Sequence, residues 1–304
     1  PRGHIGGALW HSFDHQRGYH PDPFWGGLMD MFRQPKYSYY MMMSQRDPHL
    51  HLEQADSGPM VYIANAMTPF SPKDVTIYSN CDEVRLTYCK GGKEYTYHKP
   101  ANEVGMPSPV ITFKDVFDVM YDKKLSRQKK QADSYLLAEG LMDGKVVATH
   151  KVTPTRRPSK LLLWADDEKV QMKADGSDIV TVIAAIADEN GNIKRLNNYE
   201  VKFEIEGQGQ LVANEETHTN PRPVEWGTAP ILLRTTLRPG NCSGAGKIYH
   251  HTGRNQNPRI GGMARQTYAG SGRTDYSYFS FGTYAGSRQR RTDTSTIRKQ
   301  RCRK

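Results

Sequence analysis

The chain has 304 residues, 37% of them apolar and 24% charged, with a formal net charge of +10, a pI near 9.3 and a mean hydropathy of -0.73. That length allows two or three domains with modest cores, and no apolar run is long enough for a helix to cross a bilayer, so no membrane partner is expected. The four cysteines, Cys81, Cys89, Cys242 and Cys302, show neither a CxxC pair nor metal-ligand spacing, which excludes a zinc-ribbon or thioredoxin-like chemistry.

The chain begins with Pro1 rather than Met and opens into an apolar run, with no signal-like core before it. The expectation is a truncated N-terminus, which leaves the compartment open, periplasmic and secreted placements included. Ala8, Leu9 and Trp10 follow Gly6 and Gly7 and precede a polar, His-rich stretch to Phe24, the pattern of a buried strand that emits a loop. Pro35 suits a first helical turn, where its missing N–H would be unpaired anyway, and residues 36–46 can run helical from it. Strand, loop and covering helix make one βα unit of the kind that builds a (β/α)8 barrel. Met41, Met42 and Met43 are expected as ordinary core.

Residues 47–60 are polar, with Pro, Asp and Gly, and suit a linker. Strand-like runs follow at 61–66, 75–79, 84–88, 94–97 and 110–116, separated by turn residues such as Asn80, Asp82, Gly91 and Gly92. Val84, Leu86 and Tyr88 alternate with Arg85 and Thr87, as in a half-buried strand. Residues 117–133 are charged and lack alternation, so they read as a helical or irregular insertion. Runs at 135–141 and 145–153 flank Met142, Asp143 and Gly144, where Asp-Gly can supply the positive φ angles of a tight hairpin. Together 61–153 make an antiparallel sandwich of roughly immunoglobulin size. Cys81 and Cys89 are expected as small buried thiols in its strands, with a disulfide between them the less favoured option.

A second sandwich, 154–240, starts after a Pro-flanked linker. Residues 161–165 are its first strand, and 179–187, apolar on both faces, a central one. Asn190 and Gly191 mark a hairpin. Tyr199, Val201, Phe203 and Ile205 alternate with Glu200, Lys202, Glu204 and Glu206, and 211–213 and 231–236 extend the domain. Beyond Gly240 the chain changes character. Residues 241–304 contain no Leu and no Val, and carry thirteen Lys and Arg against two Asp, so the tail alone accounts for the basic pI.

The strings GGALWHSFDHQRGYHPD (6–22) and WGGLMDMFRQPKYSYYMMMSQR (25–46) resemble the last barrel strand, its loop and the final helix of glycoside hydrolase family 2, the β-galactosidase family. Trp10, Phe13 and Asp14 match the family's GxxxWxxFD-type strand, and Gly27, Asp30, Pro35, Lys36, Tyr39 and Tyr40 match the segment that leads out of the barrel. The stretch YSNCDEVRL, 78–86, resembles a strand pair of the first domain after the barrel. The resemblance covers most of residues 5–240 and implies a mainly β fold: tandem immunoglobulin-like β-sandwiches preceded by the last βα unit of a truncated (β/α)8 barrel. It also implies a retaining β-glycosidase, most simply a β-galactosidase acting on oligosaccharides.

Such an enzyme needs two carboxylates about 5–5.5 Å apart. The resemblance places them as glutamates on barrel strands before the last one; the first glutamate here is Glu53, in the linker, so no catalytic residue is assigned and the isolated chain is expected to be inactive. What remains is part of the sugar pocket. Trp10 offers a flat apolar face to a sugar, while His11, His15, Gln16, Arg17 and His20 can hydrogen-bond its hydroxyls or an anionic group. Asp14 has a structural or pocket-supporting role in the family's pattern, and Arg17 is expected to pair with Asp14 or Asp22. The substrate-binding set is therefore Trp10, His11, Asp14, His15, Arg17 and His20. His11, Asp14, His15, His20 and Asp22 lie on one loop without the spacing of a metal site, and no metal or cofactor is expected.

Two other functions stay open: a non-enzymatic tandem sandwich that binds carbohydrate or protein, and a nucleic-acid-binding protein acting through its Arg, Gly and aromatic tail. The sandwiches lack an aromatic RNA-binding signature, which counts against the second. Residues 231–240 resemble the lead-in to a family closing strand that does not follow, so the preferred reading of 241–304 is a tail out of frame, with a low-order, basic composition.

Overall fold

Alternation of buried and half-buried side chains runs through the strands of residues 61–152 and stacks them into two antiparallel sheets. In this computed structural model one sheet has the order β1 (Val61–Ile63), β2 (Val75–Ser79), β5 (Ile111–Phe113). The other has the order β4 (Glu94–His98), β3 (Glu83–Tyr88), β6 (Leu136–Met142), β7 (Lys145–Val152). Val75, Ile77, Val84, Leu86, Leu136 and Ala138 are fully enclosed between them. Each of the larger ones contributes about 1.5–3 kcal/mol by leaving water.

The structure describes residues 9–20, 23–53, 55–89, 93–99, 106–166, 172–213, 215, 219–238, 241–250 and 277–282, the last two stretches as backbone strands. The chain divides into two units, Pro1–Pro154 and Thr155–Lys304.

In the first unit Asp143 and Gly144 have φ of 50° and 72° and join β6 to β7, with Met142 facing Lys145. This is the primed turn that Asp-Gly favours. The charged stretch after Phe117 forms helix α2 (Val119–Arg127) and a 3-10 turn (Gln131–Asp133), with the Asp118 carboxylate accepting from the Met120 amide at 2.8 Å as N-cap. Cys81 and Cys89 are buried free thiols, as residues just past β2 and β3 rather than within them. Burial pushes both thiols up, which keeps them protonated and unreactive at neutral pH.

A helix ahead of this sandwich, α1 (Tyr37–Met43), is clamped to it. Gln45 holds Ser108 at both backbone groups, Nε2 donating to the carbonyl at 2.7 Å and Oε1 accepting from the amide at 3.1 Å. Asn80, almost wholly buried, donates to the carbonyls of Arg46 and Gly58 and accepts from the Met60 amide. Tyr40 stacks on Tyr62 at 3.6 Å and 7°, and Tyr62 stacks on His150 at 4.4 Å and 19°. None of the α1 residues is fully buried, so the expectation that Met41, Met42 and Met43 are core fails here. The aromatic and amide contacts do the holding instead.

In the second unit β8 (Lys160–Ala165), β9 (Ile179–Ala187), β13 (Thr228–Thr235) and β11 (Gly209–Leu211) form a sheet of order β11-β13-β9-β8. Facing it are β10 (Tyr199–Gly207), β12 (Arg222–Pro223), β14 (Asn241–His250) and β15 (Ser277–Gly282), in the order β12-β10-β14-β15. Leu161, Val182, Ala184, Ile186, Val201, Phe203, Ile231 and Leu233 fill the space between. The interior position of β9 follows from its apolar residues on both faces. Asp188 organises the turn after β9. Burial raises its carboxyl pKa, yet hydrogen bonds from the amides of Arg156, Asn192 and Asn190 and from the Asn192 side chain outweigh that and hold it below the usual range.

Sequence reasoning expects no strand after Gly240, and β14 is there, antiparallel to β10 from Gly207 opposite Cys242 to Tyr199 opposite His250. A sheet ladder uses backbone groups that every non-proline residue carries, so it forms without apolar alternation. Gly246 makes the fit possible: a Cβ there would lie 2.9 Å from Leu161 Cδ2 and 3.4 Å from Val201 Cγ1. The rest of the tail, 251–276 and 283–304, lies outside the described residues.

Candidate functional site

Residues 9–36 fold back on themselves through backbone bridges, Phe13 with Met29, His15 with Phe24, and Met29 with Pro35. The close approach is possible because residue 27 is glycine. A Cβ there would come within 2.3 Å of the Phe13 carbonyl carbon and 2.4 Å of the Asp14 nitrogen. Asp30 builds the turn before the helix, accepting from the amides of Phe32 and Gln34 at 2.8 Å each.

Asp14 points into this fold and is buried. Its Oδ1 accepts from Lys36 Nζ at 2.6 Å and from the Gly27 amide at 3.0 Å. Lys36 also donates to the Trp25 carbonyl at 3.2 Å. The loop is thus tied to the start of α1 by one ion pair. Contrary to the expectation from sequence, Arg17 does not pair with Asp14. Lys36 takes that carboxylate, and the Arg17 guanidinium carbon sits 4.3 Å from the centre of the Phe24 ring. Asp22, the alternative partner, lies outside the described residues.

Four of the six expected substrate-binding residues come together around Phe24. The His11 and His15 rings are 4.2 Å apart, each packs on Phe24 at 5.0 and 5.4 Å, and Trp10 meets His11 edge-on at 5.8 Å. His15 Nδ1 is buried without a hydrogen-bond partner. Desolvation first, then the neighbouring His15 and Arg17 charges, lowers the His11 pKa, so its imidazole is neutral at pH 7 and able to accept as well as donate. Asp14 faces the support and not this cluster. His20 contributes its carbonyl, which accepts from Gln16 Nε2 at 2.9 Å. Phe24 was missed by sequence reasoning, although its place four residues after His20 in a Pro-flanked aromatic run is a usable signal.

The expected buried strand at Ala8, Leu9 and Trp10 is not formed over its described residues. Leu9 is 54% and Trp10 88% exposed, and neither belongs to a strand. A strand needs hydrogen-bonded neighbours, and no described residue pairs with these two. Glu83 and Glu139 are engaged in the first sandwich, with His98 at 3.5 Å and Arg85 at 3.8 Å respectively. Among the described residues no group of three or more His, Cys, Asp or Glu is placed to hold a metal ion.

The model of glycoside hydrolase family 2 C-terminal domain 5 matches residues 163–243. A curated β-galactosidase from Thermoanaerobacter pseudethanolicus is 32% identical over 244 residues, covering 77% of this chain and 30% of that enzyme. The chain carries C-terminal domains of glycoside hydrolase family 2. Among solved structures, a β-glycosidase from Bacteroides vulgatus superposes with a TM-score of 0.58 at 19% identity, over 79% of this chain and 29% of that one. A family 2 β-glucuronidase gives 0.57 at 18% identity, over 86% and 23%. These likenesses support the tandem sandwich fold. The chain spans about 30% of the curated family member's length.

Proposed function

We propose that the chain is the C-terminal part of a retaining β-glycosidase, β-galactosidase-like, and that residues 10–20 line one side of its sugar pocket. The observation that carries this reading is the 32% identity to a β-galactosidase along 77% of the chain. The open indole of Trp10, the neutral His11 and the Arg17 guanidinium supply an apolar face, an acceptor and donors, the mixture a sugar ring requires. Asp14, Lys36 and Gly27 support the loop. Residues 1–46 then belong to the last βα unit of a barrel, whose other strands shield Leu9 and leave the Trp10 indole open to the pocket. The two catalytic carboxylates belong to those other strands, since Glu83 and Glu139 are spent on sandwich ion pairs.

The family match ends at residue 243, next to the change in composition, and this coincidence supports the reading that the coding sequence leaves the family's frame near there. Resequencing the source DNA from upstream of the Pro1 codon through the Lys304 codon tests both points. The expected result is an open frame encoding a barrel with two glutamates, and a frame change near codon 240. A start codon just before Pro1 with one unbroken frame to Lys304 overturns the enzyme reading. The purified 304-residue chain should leave a nitrophenyl β-galactoside intact. In the extended enzyme, hydrolysis should retain the anomeric configuration, and Trp10→Ala should lower kcat/KM by roughly tenfold or more, as for loss of one aromatic contact. Cleavage of the β-glucuronide in preference would instead assign Arg17 to a uronic acid.

A further inference from the structure

The hairpin tip at residues 225–228, in the second unit, carries a tryptophan in a conformation that its own fold does not reward. Glu225 and Thr228 exchange both backbone hydrogen bonds, at 2.8 and 3.0 Å, so only Trp226 and Gly227 turn the chain. Their φ angles are 48° and 88°. This is the primed two-residue turn, whose first position favours Asn, Asp or Gly. A bulky residue in the left-handed region is an outlier. Trp226 also keeps half of its surface open to solvent, at 50% exposure.

The tip is nonetheless rigid. The Gly227 carbonyl accepts from the Ile186 amide at 3.1 Å, and a Cβ on Gly227 would meet Ile193 Cγ2 at 2.5 Å. Arg195 braces it from the side: Nη1 donates to the Trp226 carbonyl at 3.1 Å, and the guanidinium carbon lies 6.0 Å from the indole centre. Strain retained at an exposed position by a rigid surround points to a ligand rather than to stability.

We propose that Trp226 and Arg195 form a saccharide-binding site on the second sandwich, beyond the pocket around Trp10. One pyranose ring packs its C–H face on the indole, and its hydroxyls accept from the remaining guanidinium N–H groups. The tip offers one indole among the polar groups of Glu225, Arg195 and Lys194. That area suits a sugar ring and is far below the roughly 800 Å² that each side of a stable protein interface buries. Choosing a saccharide rests on the family reading; the geometry of the tip does not.

The test is affinity electrophoresis of the 304-residue chain in gels containing soluble β-1,4-galactan, arabinogalactan or β-1,3-glucan, with Trp226→Asn, Arg195→Gln and Trp10→Ala beside it. Wild type should be retarded on at least one polysaccharide, Trp226→Asn should lose that retardation, and Arg195→Gln should weaken it several-fold. Trp226→Asn should also raise the melting temperature of the second unit, because Asn suits the turn. No retardation of wild type on any of the three gels overturns the site. So does retardation kept by Trp226→Asn and lost by Trp10→Ala, which assigns binding to the loop. A lower melting temperature for Trp226→Asn makes the indole a packing residue and overturns it as well. Failure of the extended enzyme to hydrolyse a glycoside would sink the proposed activity without altering any of these gels.

Discussion

Removing the ammonium of Lys36 leaves the Asp14 carboxylate buried with the Gly27 amide as its remaining donor. Leaving a buried group short of its partner costs about 1–3 kcal/mol. Lys36→Met keeps the stem and loses the charge, so native-state hydrogen exchange should show faster opening at the amides of Asp14, Gly27, Met29 and Lys36, all of which bond within this fold. Unchanged protection there would show that the ion pair does not hold the loop. Both residues stand in the sequence motifs that carry the family resemblance, yet their pairing was not legible. They are 22 positions apart, and nothing in the sequence says that Gly27 allows the chain to close between them. The clustering of Trp10, His11, His15 and Arg17 was legible as one loop, because four short-range neighbours cannot stray far apart.

At the scale of elements, the junction of α1 with the first sandwich contains its own pH dependence. His150 Nδ1 accepts from the Ile63 amide at 3.0 Å, which requires that nitrogen to be unprotonated, and the ring stacks under Tyr62 and Tyr40. Burial lowers its pKa from the ordinary histidine value. The folded state thus binds fewer protons than the unfolded chain below about pH 6.5, and stability falls as pH drops from there toward the lower folded pKa. Above that window the contribution is fully present. Calorimetry between pH 7.5 and 5 should show a loss in wild type that is smaller in His150→Asn, whose amide oxygen can accept the same bond without titrating. Parallel curves for the two proteins would exclude His150 as the cause.

The sandwich strands themselves were legible, 75–79 as a strand-like run between turn residues and 179–187 as a run apolar on both faces, each to the residue, and so was the Asp143-Gly144 turn. Strand β14 was not, since its side chains lack any alternation and only its backbone commends it to β10. The strand expected at 8–10 rested on its apolar pattern alone, and its described residues, Leu9 and Trp10, pair with no described neighbour.

For the whole molecule, the question is how much of the basic tail belongs to the second sandwich. The family match stops at 243, while β14 pairs with β10 across nine residues. That ladder covers an edge of β10 which would otherwise lie open to pairing with other chains. Ending the chain at Gly240 removes it. At about 0.5–1.5 kcal/mol net per hydrogen bond, the loss should lower the melting temperature of the second unit by more than about 10 °C. Soluble yield should fall with it, and the transition of the first unit should stay where it was. A chain ending at His250 separates the strand from the charge: it retains β14 and discards twelve of the thirteen basic residues beyond Gly240. Full-length melting behaviour in that chain assigns the stabilisation to β14 alone. If instead the Gly240 chain melts like wild type, the ladder adds nothing, and the second sandwich closes without any residue beyond the family match.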